Sequence, residues 1–137
     1  CFNCRMGDPE TQVVLPQLKS DLGALILQLK QGKQPVAEWQ NGEFYLGTVV
    51  ASRDYPRSVV NGRPLPVIKD SAVTISYAGV SQDGEQIVSH GGRVLMVTTK
   101  AKDLQTAQTK VNAVLDANVD KSGYTFRHDI GFHAIGQ

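Results

Sequence analysis

Residues 90–115, HGGRVLMVTTKAKDLQTAQTKVNAVL, change periodicity once, and the place where they do so sets the fold class. Arg93 to Thr99 is an apolar and β-branched run that reads as a strand entered through Gly91-Gly92. Beyond it, Asp103 can cap the free N–H groups of a helix, whose Leu104, Ala107, Val111, Val114 and Leu115 recur on one face. Upstream, Val73, Ile75 and Tyr77 alternate with Thr74, Ser76 and Ala78, as in a half-buried strand over 72–80. Asp83-Gly84 is a hairpin turn into a short strand over 85–89. Glu43 to Ala51 reads as a further strand, and Pro56, Asn61-Gly62, Pro64 and Pro66 mark the loop that follows it.

Nearer the N-terminus, Asp8-Pro9-Glu10 has the composition of a helix start, with Asp8 as the cap and Pro9 in the first turn. Pro16 interrupts this helix. Ser20-Asp21 caps a second, which carries Leu22, Leu25, Ile26 and Leu29 on one face and stops at Gly32. A short last strand is expected around Tyr124-Thr125-Phe126. The order helix, strands, helix, short strand predicts an α+β fold with a mainly antiparallel sheet, in which residues 1–32 form a piece apart from 35–137.

The 137 residues suffice for a buried core, and 41% hydrophobic with 20% charged residues is the balance of a folded globular unit. No apolar run is long enough to span a bilayer and no secretory signal opens the chain, so a cytoplasmic location is the expectation. Fourteen basic against 13 acidic residues leave a formal charge of +1, which offers neither nucleic acid nor an anionic membrane an electrostatic footprint. Any anion must be held locally.

Three groups of residues carry candidate chemistry. Cys1 and Cys4 form a C-x-x-C, but no βαβ unit surrounds it, and His90, His128 and His133 supply no second ligand pair at zinc-finger spacing. The pair reads as two free thiols, and His128 and His133 as surface or hydrogen-bonding residues. Asn3, Arg5, Asp8 and Glu10 form a second, denser polar group. In an extended segment Asn3 and Arg5 face one cleft together with position 1, while Asp8 stands at the start of the helix. An amide oxygen and a carboxylate at positions 3 and 1 suit magnesium; the soft thiol of Cys1 does not. The alternative for this group is structural, with Asp8 capping and Arg5 solvated. Third, Gly91 and Gly92 allow close backbone approach and Arg93 can fork onto a phosphate, although a Gly-Gly pair also simply turns a hairpin. Lys100, Lys102 and Lys110 read as a solvated face.

The run Phe2 to Pro16, FNCRMGDPETQVVLP, resembles the E-F-N-x-R-F-G-D-P-E-x-Q-x-x-L-P segment of the glycinamide ribonucleotide synthetases, which are ATP-grasp ligases. Ser20-Asp21-Leu22, Tyr55-Pro56, Tyr77-Ala78-Gly79, Gly91 to Leu95, Val97-Thr98 and Arg127 to Gly131 continue the resemblance in order. It covers only the C-terminal part of such an enzyme. The resemblance implies that residues 1–32 end an ATP-grasp lobe and that 35–137 form a small C-terminal domain with a mainly antiparallel sheet and one long helix. It implies an ATP-dependent ligase that joins glycine to 5-phosphoribosylamine, via glycyl phosphate, to give glycinamide ribonucleotide, ADP and phosphate. Magnesium or manganese would be the metal cofactor and ATP a substrate.

Carried over residue by residue, Asn3 becomes a metal ligand, and Arg5 and Asp8 line the cleft as catalytic residues. Asp8, Gly92 and Arg93 become substrate-binding. Cys1 stands where the family's metal-binding Glu is expected, and this departure removes the best metal ligand. A chain without an ATP site of its own is expected to be a fragment, inactive alone, whose partner is the missing N-terminal part of the same enzyme. A rival expectation is a free-standing, non-catalytic module that binds a phosphorylated ligand or a protein partner.

Overall fold

A computed structural model describes residues 4–136. Its elements in chain order are α1 (Thr11–Val14), α2 (Leu22–Lys30), β1 (Phe44–Ser52), β2 (Thr74–Tyr77), β3 (Val80–Asp83), β4 (Gln86–Ser89), β5 (Arg93–Ala101), α3 (Leu104–Asn118) and β6 (Tyr124–Thr125), with 3-10 turns at Leu15–Gln17 and Phe132–Ala134. Four strands make one antiparallel sheet in the order β2-β5-β1-β6, and β3-β4 is a separate hairpin. The α+β class and mainly antiparallel pairing agree with the sequence pattern.

The sheet is built on β1 and β5, nine residues each, paired from Phe44 opposite Ala101 to Val50 opposite Leu95. The register then shifts, so that Ala51 lies opposite Arg93. One face packs on α3. Asp103 accepts a hydrogen bond from the Thr106 N–H at 2.7 Å, as an N-cap should, and this phases Ala107, Val111 and Leu115 inward until all three are fully buried. They meet Leu46, Val50, Leu95 and Val97 in the core. Each buried Val or Leu side chain there contributes about 1.5–3 kcal/mol.

The opposite face is covered by the N-terminal segment. A side chain on Gly47 would collide with Met96 and crowd Val13 and Thr98, so the absence of a Cβ at Gly47 lets α1 approach the sheet. α2 behaves differently. Asp21 caps it by accepting from the Ala24 N–H, and Gly32, at φ +74°, follows its C-terminus as expected. Yet no residue of α2 is buried: Ile26 is 50% and Leu29 60% exposed, with Leu22 and Leu27 similar.

Three expectations need correction. The strand expected over 72–80 is broken at Ala78-Gly79, because the Gly79 N–H turns to the Arg93 carbonyl and releases Val80 into the β3-β4 hairpin. Asp8 does not cap α1. The N-cap is Glu10, which makes no side-chain cap bond; its carboxylate instead reaches back to the Gly7 N–H at 2.8 Å. Lys100 is exposed but not merely solvated, since it pairs with Glu43 at 2.8 Å, and that partner raises its pKa.

Candidate functional site

Two segments that the sequence separates by 85 residues meet where the N-terminal segment reaches the start of β5. Arg93 donates from Nη1 to the Asp8 carbonyl at 2.7 Å and from Nη2 to Asp8 Oδ2 at 3.1 Å. The other carboxylate oxygen, Oδ1, accepts from Gln12 Nε2 at 3.0 Å, one helical turn along. Asp8 is thereby fixed from both sides, and it fixes Arg93 in turn. A guanidinium has five N–H donors, so these two bonds leave three for a ligand.

The loop before Arg93 is equally constrained. The Gly92 carbonyl accepts from the Ser52 N–H at 2.7 Å, and the Gly91 carbonyl from the Ser52 hydroxyl at 3.4 Å. A Cβ on Gly92 would fall 2.1 Å from Cδ2 of Tyr55, so the ring of Tyr55 lies directly over this glycine. The Tyr55-Pro56 peptide is cis. Beside them opens a cavity of about 410 Å³ whose walls include Pro9, Val49, Tyr55 and Phe126, with Arg93 and Arg127 among its polar residues. Apolar walls with a few fixed cations suit a small phosphorylated ligand.

Arg127 is held by its neighbour. Nε and Nη2 donate to the two oxygens of Asp129 at 2.8 and 2.7 Å, a forked pair that raises the Arg127 pKa and lowers that of Asp129. Nearby, Asp116 accepts from Lys121 at 2.7 Å and contacts His128 Nε2 at 3.0 Å; these hydrogen bonds hold its pKa below the ordinary value. His128 is therefore a hydrogen-bonding surface residue.

Asp8, Gly92 and Arg93, named from sequence, come together at one place. Arg5 is not hydrogen-bonded into this group: it is exposed and donates to the adjacent Met6 carbonyl at 3.0 Å. Asn3 and Cys1 lie outside the described residues. Among the described residues no group of three or more His, Cys, Asp or Glu could hold a metal, and Cys4 is an exposed free thiol. An amide oxygen with a thiol is a poor donor set for magnesium or manganese, so the residues at hand do not fit such an ion. Sequence reasoning missed Gln12 and Tyr55. The four-residue spacing from Asp8 to Gln12 was a visible signal; Tyr55 stood out only through the Tyr55-Pro56 turn of the resemblance, and its contact with Gly92 spans 37 positions.

Residues 45–133 match the family described as "Phosphoribosylglycinamide synthetase, C domain". The chain belongs to this family. Proteins named phosphoribosylamine-glycine ligase are similar to the chain over nearly its whole length. The chain is 43% identical over 135 residues to the one from Lactococcus lactis and 42% identical over 136 residues to one from Streptococcus pyogenes. In each case the match covers 98% of this chain and 32% of the relative, so the chain spans about a third of the length of the curated relatives it matches. The crystal structure of phosphoribosylamine-glycine ligase from Thermotoga maritima superposes with a TM-score of 0.77 at 27% identity, covering 93% of this chain and 32% of that one. No helix among the described residues is long and apolar enough to cross a membrane.

Proposed function

We propose that the chain is the C-terminal portion of a phosphoribosylamine-glycine ligase, which uses ATP to join glycine to 5-phosphoribosylamine in purine biosynthesis. The observation that carries this reading is a likeness to such ligases over 98% of the chain, with Asp8 and Arg93 of two matching motifs joined in one site. In the reaction, ATP phosphorylates the glycine carboxylate and the amine of phosphoribosylamine displaces phosphate from the resulting glycyl phosphate. The residues of this chain supply the phosphoribosyl end of the site. Arg93 and the backbone at Gly92 hold the phosphate, Asp8 orients Arg93 and borders the substrate, and Arg5 lines the cleft from the N-terminal side. Electrostatic stabilisation of this kind is worth most when the donors are fixed before the ligand arrives, as the two bonds to Asp8 fix Arg93 here.

Residues 1–32 then complete an ATP-grasp domain and 35–137 form the C-terminal domain. The upstream part that the relatives carry is the partner. The bare apolar surface of α2 supports this, because a helix with leucines and isoleucine on several faces is stable when covered. Asn3 can be a ligand to magnesium or manganese only with hard oxygen donors from that upstream part. The location that suits this chemistry is cytoplasmic.

The test is complementation. The chain alone should give no turnover with ATP, glycine and phosphoribosylamine, whereas coexpression with the upstream two-thirds of the Lactococcus relative should restore it. In the chain itself, millimolar glycinamide ribonucleotide should shift the NMR signals of Gly92 and Arg93. Turnover by the isolated chain would refute the division of labour, and unmoved signals would remove Arg93 from the site.

A further inference from the structure

Gln12 has one amide and two tasks. Its Nε2 donates to Asp8 Oδ1 at 3.0 Å, and because a carboxylate only accepts, the amide orientation is dictated by Asp8. Oε1 is therefore turned the other way, where it is buried without a partner among the described residues. The residue Gln12 borders a cavity of about 290 Å³ that Thr98 of β5 also lines. Thr98 is 5% exposed, and its hydroxyl is also without a partner. The hydroxyl and Arg93 belong to the same strand. Gln12 thus stands between two points of β5: on one side the Thr98 hydroxyl, on the other Asp8 and, through it, Arg93.

We propose that Gln12 is a positioning residue that sets the Asp8 carboxylate against Arg93 and so holds the remaining guanidinium N–H groups where a phosphate can reach them. The proposal rests on the phosphate role of Arg93 for its ligand but not for its geometry. Gln12 approaches no ligand itself. The charged or titratable groups facing it are Asp8, with Arg93 behind it, and Tyr45 and the Glu43-paired Lys100 on the far wall of the cavity.

The test uses Gln12→Glu and Gln12→Leu in the 137-residue chain, with inorganic phosphate as the probe and the Arg93 Nε–Hε NMR signal as a ligand-free readout. At pH 8 the carboxylate of Gln12→Glu opposes that of Asp8; phosphate should bind about fivefold more weakly than to the parent, and the Arg93 signal should move or broaden. The neighbouring Asp8 carboxylate raises the pKa of the new carboxyl, so on acidification to pH 4.5 it should take up a proton, donate as the amide did, and return both the affinity ratio to the parent and the Arg93 signal to its place. Gln12→Leu should be weakened at every pH without recovery. Loss of affinity that is equal in the two variants and independent of pH would show a merely structural role and overturn the proposal, as would parent-like behaviour of both. If the parent itself does not respond to phosphate, the ligand reading fails, while the pH-reversible Arg93 signal of Gln12→Glu still decides the positioning role. If Gln12→Glu does not fold at pH 8, its refolding on acidification, with Gln12→Leu folded throughout, supports the proposal through the same opposition of carboxylates.

Discussion

Alanine at Gly79 and alanine at Gly92 should rank in the reverse order of their overlaps. A Cβ on Gly79 would lie 2.9 Å from both the Arg93 carbonyl oxygen and the Gly91 Cα, and 3.3 Å from the His90 carbonyl oxygen. Ordinary carbon contacts begin near 3.5 Å, so the carbon pair is short by roughly 0.6 Å. At Gly92 the shortfall is larger, roughly 1.4 Å, but the obstacle is the ring of Tyr55, a side chain that is 44% exposed and can swing into solvent. The atoms around Gly79 cannot swing. They are backbone, tied by the Gly79 N–H to Arg93 at 2.8 Å and the His90 N–H to Gly79 at 2.9 Å. Gly79→Ala should therefore cost about 1–3 kcal/mol, the range for overpacking that forces backbone to shift, and Gly92→Ala about 1 kcal/mol or less. In urea unfolding, with a slope of about 1–3 kcal/mol/M, the first should lower the midpoint by about 1 M and the second by much less. Both should weaken the phosphate response of Arg93, one by moving the strand start and the other by moving Tyr55. A lower midpoint for Gly92→Ala than for Gly79→Ala would refute the reasoning that rigidity of the neighbour outweighs the size of the overlap.

Leu115→Ala removes a fully buried side chain facing both central strands and should cost about 2–5 kcal/mol in the same assay. A double-mutant cycle on Asp8→Asn and Arg93→Gln should give a coupling of only about 0.2–1 kcal/mol for stability, because the pair is 54% and 39% exposed, while either change should weaken the proposed phosphate contact. The Asp103 pKa is lowered, chiefly by the Thr106 backbone N–H, so its carboxylate favours the folded state above the ordinary aspartate value and ceases to do so as pH falls through the lower folded value. The gap in urea midpoint between the parent and Asp103→Ala should be full at pH 6 and shrink below about pH 4; a constant gap would deny the carboxylate its charge-dependent part. Cys1→Glu restores a hard oxygen beside Asn3, and Mn²⁺ should broaden the NMR signals of residues 4–8 at lower concentration than in the parent.

What the sequence made legible was local. The strand at 93–99, the Asp103 cap and the helix behind it each lie within one window of a few turns, where side-chain period and capping chemistry suffice. The break at Gly79 was hidden because its cause, the Arg93 carbonyl, lies 14 residues away and the alternation from Val73 to Tyr77 runs smoothly into it. Asp8 had two readings, helix cap and cleft residue, and the ion pair it makes is with Arg93, 85 positions away. The apolar positions of α2 were plain, but apolarity does not say what lies against them. Arg5 was placed by strand alternation, whereas Cys4 and Arg5 occupy a bend.

The register shift in β5 decides on which side of the sheet the guanidinium stands. Counting back along the strand, Thr98 and Met96 face α1, as their contacts around Gly47 show. In unbroken alternation Val94 would come next on that side and Arg93 would point toward α3. The irregularity between Val50 and Ala51 sets Arg93, not Val94, opposite Ala51, and so brings it round to the side of Asp8 while Val94 sinks completely into the core. The phosphate contact proposed for this edge is therefore a matter of phase. Pairing without that irregularity would keep every residue of the chain and yet turn the arginine toward α3, the wrong side of the sheet.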